Sequence, residues 1–504
     1  ERREEEIEQA VFDALQESGT DYGDYSPEQM DVIYDAAEKG FDVTALCNPA
    51  YPPQQMQLIM DMQARAQSHT AAHFQGVFGQ LTGGALSIEE INAIRAANLL
   101  PLEEGSPERE NNAERRSETS AVSGDPGSTA PSENEIEASA LPPPRLHNFR
   151  ITDDDLGAGG LKAKFRANMN AIHMLKTLEA EDRLAAPEEQ EVLSRYVGWG
   201  GIPQAFDENN REWHGEYEEL RAALDPGEYR EARASTLNAF YTSPTVIKAM
   251  YGALEQMGLS SGNMLEPSCG VGNFMGLLPE SMSDMRMYGV ELDSVSGRIA
   301  RQLYQKNNIA VQGFETTSFP DSFFDAVIGN VPFGQYKVAD SRYDRHNFLI
   351  HDYFIARSLD LVRPGGVVAV VTSSGTMDKQ NESVRKYIAH RADLLGAVRL
   401  PDNAFLRNAN TGVVADILFF QKRDRMSLEE PGWVHLGTTP EGYLVNSYFA
   451  EHPEMVLGEF TAENTQYGRQ EVTVKPVAGA LLSDQLREAM SHIQGEITAP
   501  EITD

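Results

Sequence analysis

The sequence predicts an α/β protein whose second half folds as a doubly wound, mostly parallel sheet of seven strands, preceded by helical N-terminal regions and followed by a small C-terminal appendage. Three observations lead there. From Asn238 onward short apolar runs alternate with helical periods, as strands joined by helical crossovers do. The first run passes through a glycine-rich turn into a helix, which places that turn at the carboxyl edge of an open sheet. The last two runs are joined without a long helix, which favours an antiparallel edge. The runs are 263–266, 286–292, 310–314, 324–329, 366–372, 394–400 and 414–421.

At 504 residues, with 41% hydrophobic and 8% aromatic residues, the chain has a globular composition and room for two or three units. Residues 1–101 read as short amphipathic helices opened by Ser26-Pro27, Pro52-Pro53 and Ser87-Ile88; the irregular spacing leaves a weak helical repeat and a plain bundle both open. Residues 102–144 are rich in Glu, Ser, Pro, Asn and Gly with almost no large apolar side chains, so they read as a disordered acidic linker. Residues 145–237 return to a helical pattern, including 169–178 and 187–196, and are expected to pack on the sheet unit. Two glycine clusters there, Gly157-Ala158-Gly159-Gly160 and Gly198-Trp199-Gly200-Gly201, read either as turns that let helices pack closely or as loops around a ligand. The sheet unit spans 238–425, and 426–504 holds two short strands within 433–449 and a helix at 482–493. The linker predicts that residues 1–144 are dispensable for ligand binding by the sheet unit.

Two cysteines, Cys47 and Cys269, supply neither a disulfide framework nor a metal cluster, and the eleven histidines lack paired ligand spacing, so no metal is expected. There is no run of eighteen apolar residues and no cleavable leader pattern, which reads as a cytoplasmic protein without a membrane partner. The absence of an initiator methionine before Glu1 reads as a piece of a longer polypeptide. A net charge of −35 weighs against a nucleic-acid partner, because phosphate contacts need clustered Lys and Arg. Roughly half of that excess precedes residue 145, however, and residues 331–425 carry 14 Lys/Arg against 10 Asp/Glu.

The first strand runs into Glu266-Pro267-Ser268-Cys269-Gly270-Val271-Gly272-Asn273-Phe274. Gly270 and Gly272 let the backbone approach a ligand, and the acid before them suits a ligand with a cationic end rather than a pyrophosphate. The second strand ends in Gly289-Val290-Glu291-Leu292-Asp293, which puts a carboxylate where two ribose hydroxyls can donate to it. Adenosine without phosphate is the implied ligand. Cys269 reads as a small buried side chain, since no histidine base is indicated near it.

The fourth strand ends in Gly329-Asn330-Val331-Pro332-Phe333. This resembles the Asp/Asn-Pro-Pro-Tyr/Phe motif of methyltransferases that modify planar amino groups, in the order found in N-6 adenine DNA methylases. Phe240-Tyr241-Thr242-Ser243-Pro244 is similar to that family's cofactor-closing segment, and His351-Asp352-Tyr353-Phe354 and Arg363-Pro364-Gly365-Gly366 follow in the family's order. The wording around Asn330, with Tyr196–Gly201 upstream and Leu400-Pro401 downstream, further resembles the methylase portion of large methylase-helicase proteins of conjugative elements and phages. The resemblance implies a class I methyltransferase (Rossmann-like) sheet that binds S-adenosyl-L-methionine and methylates the N6 amine of a flipped adenine in DNA. A helicase domain of the same longer polypeptide is an implied partner; no helicase Walker motif is present in this chain.

Carried over residue by residue, the resemblance places the cofactor against Tyr241, Thr242, Glu266, Gly270, Gly272, Asn273, Glu291, Leu292, Phe314 and Glu315. It gives Asn330 a side-chain amide oxygen, and Val331 a backbone carbonyl, that accept the protons of the target amine; Pro332 shapes that turn and Phe333 stacks on the base. Val331 departs from the family pattern, which has proline there. A carbonyl acceptor survives that change but rigidity is lost, so a degenerate cofactor- or DNA-binding module, in an anti-restriction or helicase-associated role, stands as the alternative. Phe314 and Glu315 read equally as cofactor contacts or as core. Lys337, Arg342 and Arg345 read as contacts along the nucleic-acid backbone or as a solvated loop.

Overall fold

The computed structural model describes residues 2–66, most of 81–94, 146–236 apart from 155, 156 and 158, 242–404, 414–464 and 470–498. The expected linker at 102–144 and the expected cofactor residue Tyr241 lie outside the described residues.

Seven strands form the central sheet: β1 (Ser261–Glu266), β2 (Asp284–Glu291), β3 (Asn308–Val311), β4 (Phe324–Asn330), β5 (Val362–Ser373), β6 (Ala392–Arg399) and β7 (Ala415–Lys422). Their order is β3-β2-β1-β4-β5-β7-β6. Strands β1 to β5 pair in parallel, and β7 is antiparallel to both neighbours. This is the doubly wound, mostly parallel sheet that the sequence predicts, and β7 and β6 form the antiparallel edge expected of the last two strands, with β7 on the inner side. All but one residue of β7 is buried, so it takes an interior place covered on both faces. Strand β6, exposed or half-buried at Asp393, Leu394 and Leu395, is the outermost strand.

The chain winds outward from β1 through β2 to β3 and, on the other side, from β4 to β5, so the winding reverses between β1 and β4. At such a reversal the loops after the two strands diverge and leave a crevice at their carboxyl ends. Glu266 ends β1 and Asn330 ends β4, so the two residues that carry most of the sequence argument stand on adjacent strand ends.

The helical segment before the sheet contains Leu161–Ala180, Pro187–Ser194, His214–Ala223 and Pro226–Ser235. Its buried residues share one hydrophobic core with the sheet. Backbone bonds lock the two together: Phe149 N donates to Leu303 O at 2.8 Å and Ile151 N to Gly276 O at 2.9 Å. After β7 come the hairpins β8 (Leu436–Thr438) with β9 (Leu444–Asn446) and β10 (Glu459–Asn464) with β11 (Gln470–Lys475), then the helix Leu482–Ser491. Among the described residues no helix is long and apolar enough to cross a membrane.

The amino-terminal helices Arg2–Ser18, Pro27–Glu38 and Pro53–Ala66 build a second core that includes Val11, Tyr25, Met30 and Ile33. Met426, just past β7, is buried in that same core, and its backbone N donates to Tyr25 O at 3.1 Å. Polar contacts tighten the junction. Asp31 Oδ1 accepts from Arg391 Nη2 at 2.6 Å, and Arg342 and Arg345 each approach the Asp31 carboxylate to 3.7 Å. Glu28 pairs with the buried Lys422. Burial opposes ionisation of Asp31, but Arg391, Arg342 and Arg345 overcome it and hold the carboxyl down at about 2. The amino-terminal helices therefore pack on the sheet unit rather than standing apart from it. A long linker permits independence but does not enforce it, and here the helix Pro27–Glu38 inserts its acids among cations of the sheet unit.

Candidate active site

Strand β1 ends in a turn that needs left-handed backbone at two places, Gly270 at φ 54° and Gly272 at φ 87°. A Cβ on Gly272 would stand 2.4 Å from a ring carbon of Tyr304, so the turn is also too close-packed for a side chain there. Gly270 N donates to Glu291 Oε2 at 2.7 Å, and Asp293 N donates to Glu291 Oε1 at 2.8 Å. The carboxylate that ends β2 is thereby bolted to the glycine turn that ends β1. Both carboxyl oxygens therefore accept from backbone N–H groups.

Burial, reinforced by Asp293, pushes the Glu291 carboxyl up to about 7. Burial, reinforced by Glu291, raises Glu266 well above the ordinary carboxylate range. Among the described residues Glu266 Oε2 has no hydrogen-bond partner although it is buried. Two neighbouring carboxyls, Glu266 buried with an unsatisfied oxygen and Glu291 half-buried, make a place that a cationic, hydroxyl-bearing ligand would fill.

A cavity of about 480 Å³ opens over these strand ends. Its walls bring together Thr242, Glu266, Gly270, Asn273, Glu291, Leu292, Phe314, Glu315, Asn330, Val331 and Pro332. Gly272 is not on the wall; it serves the turn behind it. Strand β3 stops at Val311 rather than at 314 as expected, and Phe314 sits in the tight turn Phe314–Thr316. Its ring packs 4.9 Å from that of Phe354, which also lines the cavity.

Asn330 is presented by the last position of β4, whose six preceding residues are all buried, and its Nδ2 donates to Thr242 Oγ1 at 3.0 Å. Val331 N donates to Val371 O at 3.0 Å, which keeps the backbone at the strand end tied to β5 despite the missing proline. Phe333, expected to stack on a base, is instead buried in the core and absent from the cavity wall, while Tyr336 lies on the wall and is 44% exposed. Of the following motif only Phe354 reaches the cavity: Asp352 pairs with Lys379, and Tyr353 donates its hydroxyl to Asp340 at 2.8 Å.

The basic run after β4 divides. Lys337 is exposed and donates to Asn347. Arg342 and Arg345 both lie in ion pairs within the chain. Arg342 pairs with Asp321 at 2.9 Å and Asp360 at 3.1 Å, and both arginines face Asp31 of the amino-terminal helix. Asp31, Asp35, Asp321 and Asp360 together pair with these two guanidiniums, and Arg342 stays partly exposed.

Sequence reasoning weighed the cluster from Tyr196 to Gly201 and left its role open. In the structure Tyr196, Val197 and Gly198 form part of the cavity wall. Asn168, buried in the helix Leu161–Ala180, grips that turn from both sides, accepting from Val197 N at 2.8 Å and donating to Gly198 O at 2.6 Å. Glu231, Ala234 and Ser235, from the helix Pro226–Ser235, complete the same side and carried no signal in the sequence.

The N-6 DNA Methylase family model matches residues 227–434, which contain this sheet and most of this cavity. That segment is thus similar to the N-6 DNA methylases. Over 278 residues the chain is 28% identical to the Defense against restriction protein B of Escherichia phage P1, covering 54% of this chain and 11% of that protein. It is 29% identical over 116 residues to the Modification methylase CviBIII of Paramecium bursaria Chlorella virus NC1A, covering 23% of this chain and 30% of that one. The chain thus spans about a tenth and under a third of these two relatives. Among solved structures, a type I restriction-modification system methyltransferase subunit from Streptococcus thermophilus aligns with 15% identity and a TM-score of 0.32, covering 52% of this chain and 79% of that chain.

Proposed function

We propose that the domain transfers a methyl group from S-adenosyl-L-methionine to the exocyclic N6 amine of adenine in DNA. The observation that supports this most is the juxtaposition of Glu266, Glu291 and Asn330 on three strand ends around one cavity. A cavity of about 480 Å³ suits one adenosine-sized ligand. Glu266, with its unsatisfied buried oxygen, would meet the cationic end of the cofactor, Glu291 its ribose hydroxyls, and the backbone at Gly270 its middle. When bound, S-adenosylmethionine supplies an electrophilic methyl group. The exocyclic amine of adenine is a weak nucleophile because its lone pair is delocalised into the ring. The Asn330 amide oxygen and the Val331 carbonyl would accept its two protons, favour a tetrahedral nitrogen and aim the lone pair across the cavity.

Two consequences concern the carboxyls. Glu291→Ala is expected to weaken cofactor binding by about 1 to 3 kcal/mol, the scale for losing a charged hydrogen-bond partner; calorimetry showing unchanged affinity would remove Glu291 from the site. The sign of the pH effect follows from the raised carboxyls. Without ligand, Glu291 holds its proton up to about pH 7, and a cationic ligand favours the carboxylate, so binding at pH 6 to 7 releases protons and affinity rises with pH through that window. Titrations in two buffers of different ionisation enthalpy report the proton count, and zero release at pH 6.5 would contradict this placement of charge. The overall activity is tested by transfer of labelled methyl from S-adenosylmethionine to unmethylated DNA, where cofactor binding without incorporation into any DNA would refute the proposal.

A further inference from the structure

We propose that the acidic wall of the cavity, with Glu266 foremost, makes it select the sulfonium cofactor over the neutral thioether that methyl transfer leaves behind. The inference rests on the reading of the cavity given above and deepens it.

Five carboxyls line the cavity, those of Glu231, Glu266, Glu291, Asp293 and Glu315, and among the described residues no Lys, Arg or His lines it with them. Elsewhere around the sheet buried acids have cations beside them: Asp325 pairs with Arg363, Asp352 with Lys379 and Asp416 with Arg399. At the cavity Glu266 Oε2 and Asp293 Oδ1 are buried without a hydrogen-bond partner among the described residues. Leaving such oxygens unsatisfied is costly, and a cation relieves the cost. Burial holds Glu266 and Glu291 toward their protonated forms, and a ligand of net positive charge draws those protons off.

Charge is what separates the two ligands. S-adenosylmethionine carries a sulfonium, an ammonium and a carboxylate, and so has a net positive charge. S-adenosylhomocysteine has the same ammonium and carboxylate but a neutral sulfur. Methyl transfer forms the carbon–nitrogen bond, returns the carbon–sulfur electron pair to sulfur and passes the positive charge to the amine, which loses it to solvent as a proton. The two ligands nearly share a shape, so the wall distinguishes them by its field. A sulfonium has no N–H or O–H to donate and responds to nearby carboxylates through that field, which is stronger in a site of low polarity than in water.

The test is calorimetry above the Glu291 value of about 7 with three ligands: S-adenosylmethionine, S-adenosylhomocysteine, and sinefungin, in which a carbon bearing an ammonium group replaces the methylated sulfur. S-adenosylmethionine and sinefungin are each expected to bind about tenfold or more tightly than S-adenosylhomocysteine, the scale of one charge beside a partly screened partner. Glu266→Gln keeps the shape and removes a charge. It is expected to narrow the ratio between S-adenosylmethionine and S-adenosylhomocysteine by about threefold or more, with the thermal midpoint followed to confirm folding. In the parent chain alone, S-adenosylhomocysteine bound as tightly as S-adenosylmethionine overturns the proposal. So does sinefungin bound no better than S-adenosylhomocysteine, which would assign the preference to contacts with the methyl group, and so does an unchanged ratio in folded Glu266→Gln. Absence of binding by all three ligands would instead overturn the reading of the cavity on which the proposal rests.

Discussion

Asn330→Ala is expected to fold and bind S-adenosylmethionine like the parent chain while methyl transfer to DNA falls roughly a hundredfold or more, the scale of removing one preorganised partner of a reacting group. The side chain ends β4 at the cavity and its amide nitrogen donates to Thr242, while Glu291 is held by the glycine turn, so cofactor contacts should survive the loss of Asn330. A hundredfold fall corresponds to about 2.7 kcal/mol of transition-state stabilisation. Val331→Pro separates the backbone from the side chain at the next position. The Val331 N–H bond to Val371 disappears in that variant, but the carbonyl remains, so transfer should stay within a few-fold of the parent if the carbonyl is what matters. The check is labelled methyl transfer with cofactor binding followed alongside. Equal rates for the parent and Asn330→Ala would remove the amide from the chemistry.

The second large effect is on stability. Asp31→Ala should destabilise the folded chain by about 3 to 5 kcal/mol, the cost of leaving buried charges without their partner. Asp31 is 7% exposed and serves three guanidiniums, of which Arg391 is itself only 4% exposed. Asp321 and Asp360 still compensate Arg342 in the variant, but no other ion pair to Arg391 is found among the described residues. Denaturant unfolding of both proteins measures the difference, and a change below about 0.5 kcal/mol, the range of ordinary surface substitutions, would show that the amino-terminal helices do not bear on the sheet unit in solution.

Much of the fold was legible because its signals are local. Parallel strands covered on both faces read as apolar runs, so all seven strands of the central sheet could be located from 263 to 421. The glycine turn and the acids ending β1 and β2 mark a ligand edge through backbone and charge requirements that no neighbouring segment supplies. What remained hidden depends on distant partners. Strand order is not written in a strand, so the insertion of β7 between β5 and β6 could be read only from the sheet. The hairpin of β10 and β11 carries charged and polar residues at most positions and gave no apolar run to find. The fate of Arg342 and Arg345 was decided by Asp31, more than 300 residues upstream across the expected linker. A basic, aromatic run after the strand that ends in Asn330 does not by itself show which acids of the chain pair with it. The Tyr196–Gly198 wall was half legible: the glycine cluster announced a turn, and only Asn168, about thirty residues earlier, shows which cavity it faces.

The most direct measurement is nucleoside mass spectrometry of unmethylated DNA incubated with the full chain and S-adenosylmethionine carrying a labelled methyl group. The expected result is labelled N6-methyladenine whose rate of formation falls roughly a hundredfold or more when Asn330→Ala replaces the parent. Labelled N4-methylcytosine in its place, or unmodified nucleosides from a protein shown by calorimetry to bind the cofactor, would contradict the assignment.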